Sequence, residues 1–224
     1  MPQSMRITMP ILPPYFYFEA GTLIISAVVL YKFNNKTLRW FIPFLVMIVS
    51  AEFIGLYYQK VLHRSNTWLY NITIPVEYIF YGLIVGGLCR SKNLARFIFV
   101  LTGCYTVFAI INILFLQGYT NLASNNLKMG SILMIVISAT GLIDIFSSDN
   151  HHTLLKNPLF WISTGLLFFN SGEFLYYFFI DILLKNNWDR FAQVFGLINN
   201  KLIYVLYTCL SIAIVCSKTS EKKA

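Results

Sequence analysis

Seven runs of mostly apolar residues, joined by short polar connectors, set the frame for this chain: 15–31, 38–58, 74–89, 94–116, 127–146, 158–183 and 197–216. A helix needs about 20 apolar residues to cross a bilayer. Each run is near that length, the first and third being the shortest. The connectors "KFNNKT", "HRSNTW", "RSKN", "GYTNLASNN", "SSDNHHTLLKN" and "KNNWDR" are too short to hold a soluble domain. No run carries a continuous polar face, so a water-soluble bundle is excluded. Composition agrees: 57% of residues are hydrophobic and 12% charged, against about 25% charged in soluble domains. The expected fold class is all-α: a polytopic membrane protein with seven transmembrane helices in a single bundle spanning residues 1–224.

The N-terminal stretch has one arginine, two adjacent prolines (Pro13 and Pro14) and no small-residue cleavage site. It is not expected to be a removable signal peptide. The closing "SKTSEKKA" is too short for a catalytic or output module.

Orientation follows from Lys and Arg. With the N-terminus outside, the inner segments carry Lys32, Lys36, Arg39, Arg90, Lys92, Arg96, Lys156, Lys218, Lys222 and Lys223. The outer segments carry Arg6, Lys60, Arg64, Lys128, Lys185, Arg190 and Lys201. The excess of ten over seven, strongest in the first inner connectors, predicts N-out and C-in. The net charge of +8 then reads as a topology signal and as attraction to anionic lipid. No basic cluster on a soluble face suggests a nucleic-acid partner.

On that topology the intramembrane polar residues gather in the outer half. Glu19, Glu52, Glu77, Glu173 and Asp181 lie there with Asn112, Asn170, Asn199, Asn200 and Lys201, while the inner half offers mainly Asp144. Ionisable groups in a bilayer cost about 2.5 to 3.5 kcal/mol each on insertion scales and normally face the bundle interior. They can be clamps that hold helices together, or the lining of an outward-facing pocket.

An internal repeat sharpens the choice. Shifted by 121 residues, the second run falls on the sixth: Trp40 meets Trp161, Ser50 meets Ser171, Glu52 meets Glu173 and Phe53 meets Phe174. "ISAVVL" of the first run falls on "ISATGL" of the fifth, and "YIFY" of the third on "YVLY" of the seventh. The reading is a parallel three-plus-one-plus-three repeat about an axis along the membrane normal. Its halves are approximately 15–89 and 127–216, with 94–116 as the linker helix. Such symmetry brings Glu52 and Glu173 toward a common axis. Asn170, Glu173 and Tyr177 share a helix face by three- and four-residue spacing, as do Ile48, Glu52, Gly55 and Gln59. Two carboxylates close together in low dielectric do not both ionise easily unless a cation such as Lys201 sits between them. The expected ligand- or ion-binding set is Glu52, Glu173, Asn170, Gln59, Tyr177, Lys201, Glu77 and Asn200.

Other chemistry is not expected. His63 and the pair His151 and His152 fall on opposite sides, so no shared zinc site forms. Lys201 is too near the end of its run for a chromophore lysine, and no phosphate loop or nucleophile elbow is present. Cys89, Cys104, Cys209 and Cys216 read as small packing residues. Gly82 and Gly86 form a helix-packing notch or a dimer face. "NIT" at Asn71 is a sequon that matters only in a eukaryotic secretory pathway. No catalytic residue, metal or cofactor is assigned.

In helix count, orientation and repeat the chain resembles the parallel-repeat SWEET sugar transporters and, more remotely, the broad transporter, opsin and receptor group. SWEET proteins look proline-rich in spans where this chain has only Pro43 and Pro158, so the resemblance implies no sugar site. "WLYNITIPVEYIFYG" and "PLFWISTGLLFF" resemble stretches of small, uncharacterised bacterial seven-helix membrane proteins, which implies a bacterial inner (plasma) membrane.

The first functional expectation is a small-solute or ion transporter, taking a small polar solute, proton or cation between the repeat halves. The second is a sensor or receptor subunit that binds an extracytoplasmic ligand and signals through a separate cytoplasmic partner. A membrane lipid hydrolase using Glu52 and Glu173 ranks third, and the chain is not expected to be an enzyme. Besides the lipid bilayer, the expected partners include another copy in a homo-oligomer.

Overall fold

The computed structural model describes residues 12–32, 36–118, 122–147, 151–185 and 193–220. Four basic residues used for orientation, Arg6, Arg190, Lys222 and Lys223, lie outside the described residues, as does most of the "KNNWDR" connector. The described chain is helical almost throughout. Helix α1 is Pro14–Lys32, and a short α2, Lys36–Arg39, runs through Trp40 into α3, Phe41–Lys60. Then come α4, Thr67–Leu88, α5, Lys92–Ile111, α6, Ser124–Phe146, α7, Pro158–Lys185, and α8, Gln193–Ser220. A π-helical turn, Asn112–Leu116, extends α5, and a 3-10 turn, His151–Lys156, precedes α7.

Among the described residues, six stretches are long and apolar enough to cross a membrane: Pro14–Tyr31, Lys36–Lys60, Thr67–Leu88, Lys92–Leu116, Ser124–Phe146 and Gly196–Ser217. The chain is thus a multi-pass helical membrane protein. Helix α7 carries the remaining expected span: its 28 residues reach roughly 42 Å at 1.5 Å each, longer than a bilayer core, and the side chains of its last turn and a half lie outside the described residues.

The third run differs most from expectation. Helix α4 starts at Thr67, seven residues before position 74. Asn71 and Thr73 lower the local hydropathy, yet both are buried. The Asn71 carboxamide accepts a hydrogen bond from the Ala123 amide at 3.0 Å, which ties α4 to the start of α6. A glycan has no room at Asn71, so the sequon is structural. Glu77 consequently lies near the middle of its helix rather than near its outer end.

The helices form a ring in the order α1, α3, α4, α6, α7, α8, closing back on α1, while α5 packs outside against α4 and α6. Helices α6, α7 and α8 pack most extensively, whereas α3 and α4 touch sparingly. Small residues allow close approach, as is common between membrane helices. Gly165 sits against Cys209 and Gly172 against Leu202 at the α7–α8 seam. The Gly82 and Gly86 notch is filled by Thr102 and Phe99 of α5, so it is an internal packing face and not a dimer face.

Large apolar side chains such as Val28, Val100, Val107, Leu114 and Phe168 stand exposed around the bundle. They are suited to lipid rather than water. In one half the interior is dry: Leu38, Phe41, Leu45, Val85, Met134, Ile137, Ile162 and Leu210 are fully buried. Phe44 stacks on Phe80 with ring centroids 3.7 Å apart. Asp144, in the same half, accepts hydrogen bonds from the backbone amides of Arg90 at 2.8 Å and Ser91 at 2.9 Å. It fastens the α4–α5 turn to α6. All four cysteines are free thiols, and Cys209 is buried in the core.

Candidate functional site

The other half of the bundle is hollow. A cavity of about 420 Å³ lies where α1, α4, α6 and α8 begin and where α3 and α7 end. Alternation of helix direction explains this placement: each of these segments meets the same end of the bundle. Gln59, Asn66, Thr67 and Leu122 stand at that end, and the lining runs inward to Glu77, Leu206 and Tyr207. Where α3 and α4 touch sparingly, Tyr70 and the Asn66 amide bridge them at Glu52 and the Gly55 carbonyl.

Four glutamates from four helices line the cavity: Glu19 of α1, Glu52 of α3, Glu77 of α4 and Glu173 of α7. Glu19 and Glu173 are buried, while Glu52 and Glu77 are half-buried. Glu77, near the middle of α4, lies within electrostatic reach of Glu19, Glu52 and Glu173, and Glu19 within reach of Glu52. Among the described residues, no Lys, Arg or His lines the cavity. Carboxyl groups gathered in a low-dielectric space call for a bound cation, a basic partner or shared protons.

Tyrosines hold the carboxylates. The hydroxyls of Tyr15 and Tyr70 donate to Glu52 Oε2 at 3.5 and 3.3 Å. Tyr78 donates to Glu173 Oε2 at 3.4 Å and shares a second hydrogen bond with Ser131 at 3.3 Å. Glu19 differs: it is 3% exposed and its Oε2 has no hydrogen-bond partner. A buried, unpartnered carboxylate oxygen is costly and marks a group that awaits something.

Of the residues singled out by sequence, Glu52, Glu77, Glu173, Gln59 and Tyr177 are brought together on this lining. Asn170, Asn200 and Lys201 are not. Asn170 is buried one turn deeper, where its amide donates to the Leu166 carbonyl at 2.8 Å. On α8 the inward stripe is Asn199, Ile203, Leu206 and Tyr207. Lys201, two residues past Asn199, points nearly the opposite way. It is exposed, with Nζ 5.9 Å from the Tyr204 ring centroid, and does not bridge the carboxylates. Asn200 is half-buried beside that stripe.

Sequence reading left Glu19, Tyr15, Tyr70, Tyr207 and Asn199 out of the site set. Glu19 was legible as an outer-half acid four residues after Tyr15, one helical turn away on the same face. Nothing in the one-dimensional pattern pairs the tyrosines with Glu52.

No family model matches the chain, and no solved structure matches it. It is similar to the potassium-transporting ATPase potassium-binding subunit of Pseudomonas putida, at 34% identity over 89 residues. That segment is 38% of this chain and 15% of that subunit, so the chain spans a small part of the curated relative's length.

Proposed function

We propose that the protein is a small-solute or ion transporter whose site is the acidic cavity in the outer half of the bundle. The carrying observation is that Glu19, Glu52, Glu77 and Glu173 share one cavity, with no basic side chain on its lining among the described residues. Intramembrane acids cost too much to persist without a use or a partner. The similarity to a potassium-binding subunit supports cation handling. The dry half, packed around Phe41, Leu45, Met134 and Leu210, acts as the closed gate of a state open to one side, and transport requires that layer to part.

The duplicated-halves reading belongs to this proposal. Spans one, two, three, five, six and seven follow one another around the ring, with span four outside. A half-turn about the membrane normal exchanges one with five, two with six and three with seven. Glu52 and Glu173 then occupy equivalent helices. The sparing α3–α4 contact against the extensive α7–α8 contact departs from this symmetry. The N-out, C-in orientation and the seventh crossing by α7 are part of the same reading, as is a bacterial inner membrane.

A second reading is favoured by the closed apolar half itself. A one-sided cavity over a dry core also suits a sensor that binds an extracytoplasmic ligand and passes a helix shift to a cytoplasmic partner. Purified protein in liposomes separates the two. A transporter carries rubidium, protons or a polar cation across the membrane above the rate of empty liposomes. A sensor binds without net uptake.

A further inference from the structure

The site's ligand class can be narrowed by what surrounds the four carboxylates. This step rests on the reading of the cavity as a ligand site. Among the described residues, no three His, Cys, Asp or Glu side chains converge closely enough to hold a metal ion. The glutamates are instead spread over the walls of a space of about 420 Å³. Small-molecule sites run from roughly 300 to 1,000 Å³ and combine apolar walls with a few placed polar groups.

The walls here are aromatic as well as acidic. Tyr15, Tyr70, Tyr177, Tyr207 and Phe169 share the lining with Ile48, Ile74, Ile203 and Leu206. Aromatic faces attract organic cations, and they do so more strongly once water is excluded. Carboxylates supply charge-assisted acceptors for N–H groups. Glu19 adds the independent sign: a side chain 3% exposed, on the lining, with an oxygen that no protein group satisfies.

We propose that the cavity binds a protonated organic amine, its nitrogen received by Glu19 and the neighbouring glutamates and its carbon skeleton held by the tyrosine and isoleucine walls. Among the described residues the lining carries no positive charge, so the charge that matches the carboxylates comes with the ligand. The spread of the carboxylates suits an amine with more than one nitrogen better than a single compact ion.

The test uses the full chain in lipid nanodiscs, titrated by calorimetry with putrescine, with tetramethylammonium, and with potassium chloride at matched ionic strength. Saturable putrescine binding is expected, not displaced by potassium more than by sodium. Glu19→Gln should weaken it about tenfold or more, the size of a lost charge-assisted hydrogen bond. Should Glu19→Gln fail to fold, Gln59→Lys serves. Gln59 is exposed at the cavity mouth, so a built-in ammonium there should reduce amine affinity by competition without disturbing packing. Absence of amine binding overturns the proposal, as does amine binding indifferent to the variant tested. Potassium binding alone, dependent on Glu19, overturns the amine assignment and leaves the ion-transport reading standing. Amine binding without uptake into liposomes overturns the transport reading and leaves the amine site standing.

Discussion

The Tyr70 hydroxyl donates to Glu52 Oε2 at 3.3 Å, joining α4 to α3 where those helices otherwise touch sparingly. Tyr70 also fills the space beside Gly55, against which its hydroxyl packs. The contact fixes one wall of the cavity and the position of its central acid. Tyr70→Phe keeps the ring and removes the donor. A net loss of about 1 kcal/mol is expected for one hydrogen bond. Thermal unfolding of the detergent-solubilised protein should show a small drop in Tm, and an unchanged Tm would mean that the bond contributes nothing.

Gly130 of α6 lies against the ring of Tyr78, with Tyr105 beyond it. A methyl group there cannot fit unless Tyr78 moves, and Tyr78 is the donor to Glu173. Gly130→Ala should therefore destabilise by about 1 to 3 kcal/mol, as overpacked cores do. It should also weaken cation uptake although Gly130 is not on the cavity lining. Wild-type Tm together with wild-type uptake would show that Tyr78 is not needed where it stands.

Much of the fold was legible because helix length and apolar run length are tied by bilayer thickness. Runs two, four, five and six were placed to within a few residues. Helix α4 reads short in the sequence because Asn71 and Thr73 look like connector residues, and the partner that Asn71 finds in the fold, Ala123, is 52 residues away in sequence. Glu52, Glu173, Gln59 and Tyr177 are legible by helical spacing and by the match between runs two and six, and Glu77 by its depth. Lys201 was assigned by depth alone. Depth says nothing of azimuth, and the stripe through Asn199, Ile203 and Tyr207 turns Lys201 outward. The tyrosine donors were missed because tyrosine is common in this chain, and only the packing of α3, α4 and α1 tells which hydroxyls meet Glu52.

Asp144 is the acid whose role is structural. Both carboxylate oxygens accept backbone amides at the α4–α5 turn. Asp144→Asn replaces one acceptor by a donor facing an N–H group. A loss of about 1 to 3 kcal/mol is expected from the unsatisfied pair. Ligand binding per folded molecule should match wild type, since Asp144 lies in the opposite half from the cavity. A selective loss of binding at wild-type Tm would move the functional site.

The orientation prediction is read by reporter fusions. The basic excess on the first and third connectors places residue Asn35 and the C-terminal Ala224 inside the cell. Fusions after either position should report the cytoplasm. An extracytoplasmic signal from both would turn the acidic cavity toward the cell interior.

The most direct measurement compares Glu52→Gln and Glu173→Gln with wild type, recording thermal stability and cation uptake into liposomes on the same preparations. Glutamine keeps the shape and removes the charge. The site reading predicts folded, inserted protein whose uptake falls to the level of empty liposomes in both variants. Loss of stability with uptake unchanged per folded molecule would contradict it and make the carboxylates a buried clamp.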